Sequence, residues 1–317
     1  MTLLEASKLS ANRGEILNSS VAELYAGSSS ILATLPFKNI AGLSERILRE
    51  VTRPSASFRA INEGFTDSFG SRQDFTVSLA ISGGNIDIDM VLMSGLNDAD
   101  LRATETQAKV RALSLNWTRI FMKGDTAVAG QEKEFDGLQK RLGDPAFSSQ
   151  VINAGNTAGG DALSLEKLDE LLDQVEGDNK KLIMNKTMAR RLTQASRNQA
   201  VGGYVVFTQP EFGRRVMTYN GVEILTIDKD NLNADILPFS EVNPGGGAAA
   251  SASIYCADFS DLGVYGLTNG GIMVKDFGEL DNGQIMRTKI NWLTNYVIKD
   301  LRGAARLRGV KNAAIVA

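Results

Sequence analysis

Residues 97–125 read NDADLRATETQAKVRALSLNWTRIFMKGD, and the arrangement of the whole chain follows from how this stretch folds. Val110, Leu113, Trp117, Ile120 and Phe121 recur at three- and four-residue spacing, which lines one apolar stripe along a helix. Leu101, Ala108, Ala112 and Leu115 form a second stripe on another side, so the helix is expected to be buried on two sides. Asn97 or Asp98 supplies the N-cap, because a short side-chain oxygen there satisfies a free backbone N–H. Asp98 and Asp100 suit the positive end of the helix dipole and Lys123 the negative end, with Gly124 as a C′ stop. At about 1.5 Å per residue such a helix runs roughly 40 Å, well beyond the usual three to four turns. It reads as a strut on which other segments fold.

The 317 residues suffice for about two domains and a sizeable core. A net charge of -3 is close to balance and marks out no dedicated nucleic-acid or membrane-surface binder. There is no histidine, which removes the commonest general base, metal ligand and neutral-pH switch together. One cysteine, Cys256, excludes intrachain disulfides and multi-cysteine metal sites, and fits a reducing cytoplasm. Glu5 and Lys8 interrupt the apolar core a signal peptide needs, and no run approaches the roughly 20 apolar residues of a membrane span. The chain therefore reads as soluble and intracellular when made.

Residues 1–36 look helical. Ile16, Leu17, Val21, Leu24 and Tyr25 repeat at helical spacing before the run Ser28, Ser29, Ser30 interrupts. An N-terminal arm packed on something else and an ordinary first helix both fit. From 46 to 92 the period falls to two. Phe75, Val77, Leu79 and Ile81 alternate with small or polar residues, and Ile86, Ile88, Met90 and Leu92 do so after SGGN (82–85). Gly83 and Gly84 fit either a hairpin turn or a bend in one return strand. The second is preferred, with a hairpin tip at 66–72, because TDSFGSR has loop composition. Such a hairpin has little core and must lean on a neighbour.

The glycine-rich linker NAGNTAGGDA (153–162) is a candidate domain boundary. Ser164 and Asn185 then open two amphipathic helices, one with Leu165, Leu168, Leu171, Leu172 and Val175, the other with Met188, Leu192 and Ala195. Short strands are expected at 204–207, 215–219, 222–227, 253–256 and 262–265, and NPGGGAAASAS (243–253) as a mobile loop. Alternation then returns from Ile272 to Ile298, placing Met286, Thr288, Ile290, Trp292, Thr294, Tyr296 and Ile298 on one side. The chain closes on the basic segment KDLRGAARLRGVK.

Catalytic signals are weak. None of the three glycine clusters forms a phosphate-binding loop, so turns are the better reading. Asp87 and Asp89, two apart on a strand, face the same way but lack further ligands; a solvated or subunit-facing strand side suits them better than a cation site. Cys256 has no histidine base and reads as a buried structural thiol. Lys299, Arg302, Arg306, Arg308 and Lys311 can touch DNA phosphates, but a solvated or salt-bridged face explains them equally well. No catalytic, cofactor or metal residue is assigned, and the chain is not read as an enzyme.

The order of parts resembles the major capsid proteins of tailed bacteriophages, with the Hong Kong 97 fold. The likeness is carried by FRAINEG (58–64), LAISGGNIDIDMVL (79–92), FMKGDTAV (121–128), EFDGLQKRL (134–142), KLIMNKTMARRL (181–192), FGRRVMTYNGVEIL (212–225) and the tail from Asn291. It implies an α+β Hong Kong 97-like capsid fold. The parts would be an N-terminal arm (1–45), an extended β-hairpin loop (46–96), a peripheral domain with the spine helix (97–159), an axial domain (160–275) and a return to the peripheral domain (276–317). The implied function is self-assembly into the icosahedral head shell around a double-stranded DNA genome, as pentamers and hexamers in a virion built in the bacterial cytoplasm. Scaffolding, portal and decoration proteins are expected partners, DNA is contacted weakly, and no membrane is involved. Arg59, Glu63, Phe65, Phe69 and Arg72 on the hairpin are the expected subunit-interface residues. The alternative is an encapsulin-type nanocompartment shell; an enzyme with carboxylates at Asp87 and Asp89 or at Asp258 and Asp261 is the rival of another class.

Two departures from the family pattern carry expectations. Between Glu50 and Asn97 there is no lysine, only Arg53, Arg59 and Arg72, so the lysine-based covalent cross-link of some members should be absent. Family-like sequence begins almost at once, so no cleaved scaffolding segment is expected and any scaffold would be a separate protein.

Overall fold

The computed structural model describes residues 1–12, 16–95, 101–197, 205–208, 216–280 and 283–316. Three helices open the chain, α1 (Leu3–Asn12), α2 (Ile16–Ser28) and α3 (Ser30–Thr34). Strands β1 (Phe37–Asn39), β2 (Ser44–Thr52), β3 (Ser71–Ser78) and β4 (Ala80–Asp89) follow. Next come α4 (Met90–Gly95), the long helix α5 (Leu101–Lys123), the short α6 (Leu138–Arg141) and β5 (Val151–Asn153). The chain continues through α7 (Leu165–Gln174), β6 (Lys180–Asn185), α8 (Lys186–Ala195), β7 (Val205–Thr208), β8 (Val216–Tyr219) and β9 (Val222–Ile227). It ends in four strands, β10 (Ser251–Asp258), β11 (Val264–Glu279), β12 (Ile285–Ile298) and β13 (Ala304–Lys311).

The strands form three sheets: β1-β11-β12-β4, β5-β13-β10-β6-β9-β8-β7, and the isolated ribbon β2-β3. The long helix buries Val110, Leu113, Trp117, Ile120 and Phe121, the stripe its periodicity marks. That stripe lies on the long hairpin of β11 and β12, whose Thr288, Ile290, Trp292, Thr294, Tyr296 and Ile298 are buried as the alternation required, while Met286 is only partly buried and Asn295 and Val297 on the other side are buried as well. Phe37, Trp117, Phe121, Phe135, Trp292 and Tyr296 pack ring on ring across this layer. A second core holds α7 and α8 against the seven-stranded sheet through Leu168, Leu171, Met188, Leu192, Leu182, Ile254 and Leu307.

Several expectations need correction. The second buried side of the long helix is not Leu101, Ala108, Ala112 and Leu115, none of which is fully buried. It is Ser114, Thr118 and Met122, covered by the N-terminal helices. Ser114 Oγ donates to Tyr25 O at 3.0 Å and Thr118 Oγ1 to Ser29 Oγ at 2.8 Å, so two hydroxyls rather than apolar residues seat that contact. The first helices thus pack on the chain's own spine. The proposed caps Asn97, Asp98 and Asp100 lie outside the described residues, as do Tyr204, Arg215 and the side chains of Ile16 and Leu17. Gly124 has no left-handed φ. It is glycine because a Cβ would stand 2.3 Å from Phe135 O, and Gly137 approaches it as closely.

Gly83 and Gly84 lie inside β4, paired with Asn291 and Ile290, so the chain continues there as one strand rather than turning. The strand ends at Asp89, and Met90 and Leu92 belong to α4 instead. The short strand expected at 262–265 and the alternation from Ile272 are one strand, β11, with a register shift where Gly270 and Gly271 take positive φ. Position 275/276 falls inside it. Ser164 occupies the N-cap position of α7 without a side-chain hydrogen bond, whereas Asn185 accepts from Met188 N at 2.8 Å. The stretch 243–253 is no loose loop: Ser251 already opens β10. Gly159 N donates to Gly246 O at 2.9 Å, and a Cβ on Gly245 would lie 2.0 Å from Asn156 O. Two glycine-rich segments hold one another by close backbone contact, helped by Asn243 Nδ2 donating to Thr157 O.

Candidate assembly interface

The ribbon β2-β3 pairs from Ser44↔Ser78 out to Thr52↔Ser71. Its base is buried through Ile47 and Val77, which pack on Tyr265, Leu267 and Val297. Beyond Glu50 the strand is exposed, and residues 53–70 form the tip. The tip is therefore wider than 66–72, because Ser71 and Arg72 already pair with Thr52 and Glu50. Gly70 lets the strands meet there, since a Cβ would stand 2.8 Å from Thr52 O.

Three of the five expected interface residues come together. Arg59 Nη1 donates to Glu63 O at 3.2 Å, Glu63 Oε2 accepts from Ala60 N at 3.0 Å, and the Arg59 guanidinium lies 5.1 Å from the Phe65 ring centroid. Asn62 takes φ 70° at the apex, a conformation asparagine tolerates better than most residues. Phe69 stands apart at 88% exposure, and Arg72 is on the ribbon opposite Glu50. The list omitted Phe58 and Ile61, at 104% and 91% exposure. Their signal was present: two large apolar residues within the polar run FRAINEG. Contiguous apolar exposure of this kind, with arginine among aromatic rings, has the composition of a protein interface rather than of a free surface.

The other candidates resolve into structural roles. Asp87 binds Arg287 through both oxygens, at 2.7 and 2.6 Å, and Asp89 accepts from Val91 N at 2.8 Å, so the pair does not converge. The Arg287 hydrogen bond holds the Asp87 carboxyl below its ordinary pKa. Asp258 is buried, accepts from Asn179 N at 3.0 Å and from Ser260, and Asp261 faces away in an exposed turn. Among the described residues no group of carboxylates or thiols converges as a metal site. Cys256 is fully buried in the central strand β10, and burial pushes its thiol up to about 12. The basic tail is tied down internally: Arg306 to Glu241 at 2.8 Å, Arg302 to Glu176 at 3.2 Å, Arg308 to Asn153 at 2.7 Å. No described helix is long and apolar enough to cross a membrane.

Residues 12–166 match the family model described as major capsid protein GP7. That match runs from the last residue of α1 through α2, α3, the hairpin and the long helix to the start of α7. No curated protein matches the sequence significantly. Among solved structures, the SrpI encapsulin of Synechococcus elongatus PCC 7942 is similar with TM-score 0.62 and 14% identity, over 91% of this chain and 89% of that one. The capsid of the native GTA particle gives 0.61 and 14% over 89% and 90%. Mycobacterium phage Adephagia gives 0.58 and 13% over 90% of each chain. At such identities the solved structures speak for the fold, which is Hong Kong 97-like.

Proposed function

We propose that this chain is a major capsid protein of the Hong Kong 97-like fold whose copies join through the hairpin tip into the closed icosahedral head shell of a tailed phage. Phe58, Ile61, Phe65 and Phe69 carry the reading: four large apolar side chains exposed on a ribbon that has no core beneath them. An adjacent subunit that covers them removes apolar surface from water, worth roughly 25 cal/mol per Å². The Arg59 and Glu63 turn pre-organises the tip, so little ordering entropy opposes contact. Arg72 extends the same surface along the ribbon.

In this reading residues 1–45 act as an arm, 46–96 as the overlapping loop, 97–159 and 276–317 as the peripheral domain around the spine, and 160–275 as the axial domain that gathers in pentamers and hexamers. The shell would form in the host cytoplasm around double-stranded DNA, touching it weakly because Arg302 and Arg306 of the tail are already paired with glutamates. Scaffolding, portal and decoration proteins would be its further partners. The protein acts structurally, by geometry rather than turnover. An encapsulin-type shell shares the fold, but the family match over 12–166 favours the phage role.

Electron microscopy of the full chain and of Phe65→Ser/Phe69→Ser tests the proposal. The unaltered chain should give closed shells, and the double variant should keep the same circular dichroism while remaining as subunits or open capsomers. Shells of equal yield from the double variant would remove the tip from the interface. Particles of the natural assembly free of nucleic acid would favour the nanocompartment.

A further inference from the structure

β4 stops pairing with β12 at Ala80↔Thr294, yet β12 runs on to Ile298. Gly266 N donates to Pro36 O rather than to Tyr296, its partner in register, so the backbone of Tyr296 faces away from β11. Ile298, two residues on, faces the same edge. Beyond Thr294 no strand among the described residues pairs with this edge, and guanidinium groups take its carbonyls. Arg141 Nη1 donates to Tyr296 O at 2.7 Å, with its plane 4.0 Å from the Tyr296 ring centroid. Arg49 Nη2 donates to Ile298 O at 2.6 Å and Nε to Lys299 O at 3.2 Å.

Arg141 belongs to the body, but Arg49 belongs to the ribbon. Its guanidinium lies between the ring of Phe75 on the ribbon, at 4.3 Å, and the ring of Phe147 on the body, at 4.9 Å. Nearer the ribbon's root, the apolar contact of Ile47 and Val77 is joined by Asn295 Nδ2 donating to Ser78 O at 2.6 Å and by the Lys38–Glu45 ion pair, and these fix the root but not the outer ribbon. Farther out, Arg53 reaches Glu176 only at 4.0 Å with both side chains largely exposed, a contact of little weight. Among the described residues Arg49 is the outermost half-buried, directional tie between ribbon and body. Charge-assisted hydrogen bonds to fixed backbone carbonyls define an angle in a way that apolar packing does not.

We infer that Arg49 is the positioning residue that sets the angle at which the hairpin projects, by standing in for the strand missing from the edge of β12. This rests on the reading of the hairpin as the subunit overlap. Because that angle determines where the tip meets a neighbour, Arg49 governs the curvature of the assembly without touching the neighbour.

The experiment compares the full chain with Arg49→Ala, Arg49→Lys and Phe147→Leu, with Arg53→Ala as control and Phe65→Ser/Phe69→Ser as the tip variant. Hydrogen exchange is followed in unassembled subunits and particle diameters by electron microscopy. In Arg49→Ala, ribbon amides around Ile47 and Phe75 should exchange about tenfold to a hundredfold faster, the range for lost hydrogen bonds to a charged donor, while those of β10 stay protected. Its particles should be open or mixed in diameter. Arg49→Lys should fall between, since an ammonium reaches one carbonyl but does not stack between two rings, and it keeps the test alive if the alanine variant misfolds. Phe147→Leu should loosen the ribbon less, and Arg53→Ala should match the parent. Unchanged ribbon exchange in Arg49→Ala overturns the inference whatever the particles do. Uniform parental diameters overturn it too, provided the tip variant has lost assembly. If the tip variant assembles normally, the interface reading falls and exchange alone decides the role of Arg49.

Discussion

The indole rings of Trp117 on α5 and Trp292 on β12 stack with centroids 5.9 Å apart and planes inclined by 27°. Each also donates into the sheet, Trp117 Nε1 to Thr294 Oγ1 at 3.3 Å and Trp292 Nε1 to Thr268 Oγ1 at 3.0 Å. The spine is thereby keyed to the sheet by apolar area and by two buried polar contacts. Trp292→Ala should cost about 3–5 kcal/mol from lost burial and the cavity left behind. Trp292→Phe keeps most of the area but strands Thr268, and should cost about 1–3 kcal/mol. Denaturant unfolding of unassembled subunits distinguishes the two; equal losses would mean that the indole N–H contributes nothing.

Neighbouring glycines in β4 should respond in opposite ways. A Cβ on Gly83 would stand 2.2 Å from Ile290 O, a backbone atom of the paired strand, which has no room to withdraw. Gly83→Ala should therefore cost about 3 kcal/mol or more, or prevent folding. On Gly84 the nearest atom is Lys109 Cε at 2.7 Å, the far end of a flexible side chain that can swing away. Gly84→Ala should change stability by less than about 1 kcal/mol. Melting temperature and soluble yield of the two variants, side by side, check the contrast.

Acid should loosen the glycine-rich linker before the body unfolds. The Thr157 hydroxyl and N–H hold the Asp161 carboxyl below its ordinary pKa, the N–H donating to Oδ2 at 3.0 Å. Because the folded value is depressed, this stabilisation is fully present above the unfolded pKa of about 3.9 and is lost as pH falls through the folded value. Proteolysis or hydrogen exchange at 156–161 should rise between about pH 4 and the point of acid denaturation. Asp161→Asn should abolish that step. Gly155→Ala, whose Cβ would meet Asp161 Oδ2 at 2.2 Å, should reproduce the loosened linker at neutral pH.

Cys256 should be silent toward thiol reagents in the folded protein. With the thiol raised to about 12 by burial, almost none is thiolate at pH 8, and no solvent reaches it. Labelling should track global unfolding, reaching completion in denaturant. Rapid modification of native subunits at pH 8 would mean that β10 opens locally.

Helix α5 and strand β12 were legible because a half-buried element repeats its apolar residues at its own period, and that signal is local. Strand β10 was harder to read. SASIYCAD is buried on both faces, so no alternation marks its ends, and its first residues resembled loop. The hairpin could be recognised, but its tip could not be bounded, because only the pairing of Thr52 with Ser71 says where the ribbon ends. Of the proposed interface residues, Arg59, Glu63 and Phe65 assemble into one turn, while Phe58 and Ile61 emerged only when exposure was seen.

Composition alone excluded histidine chemistry, intrachain disulfides and a thiol nucleophile with a histidine base, since a missing residue type does not depend on folding. Periodicity determined the spine and the long strand, because three- or two-residue spacing is dictated by backbone geometry. What covers the spine's second face, why Gly83, Gly84 and Gly124 must lack a side chain, and what Arg49 holds were decided only by tertiary structure. Each depends on atoms more than ten residues away along the chain: Tyr25 and Ser29 for the spine, Ile290 and Lys109 for the strand glycines, Phe135 for Gly124, Ile298 for Arg49. Such pairings are non-local, and no spacing within either segment encodes them.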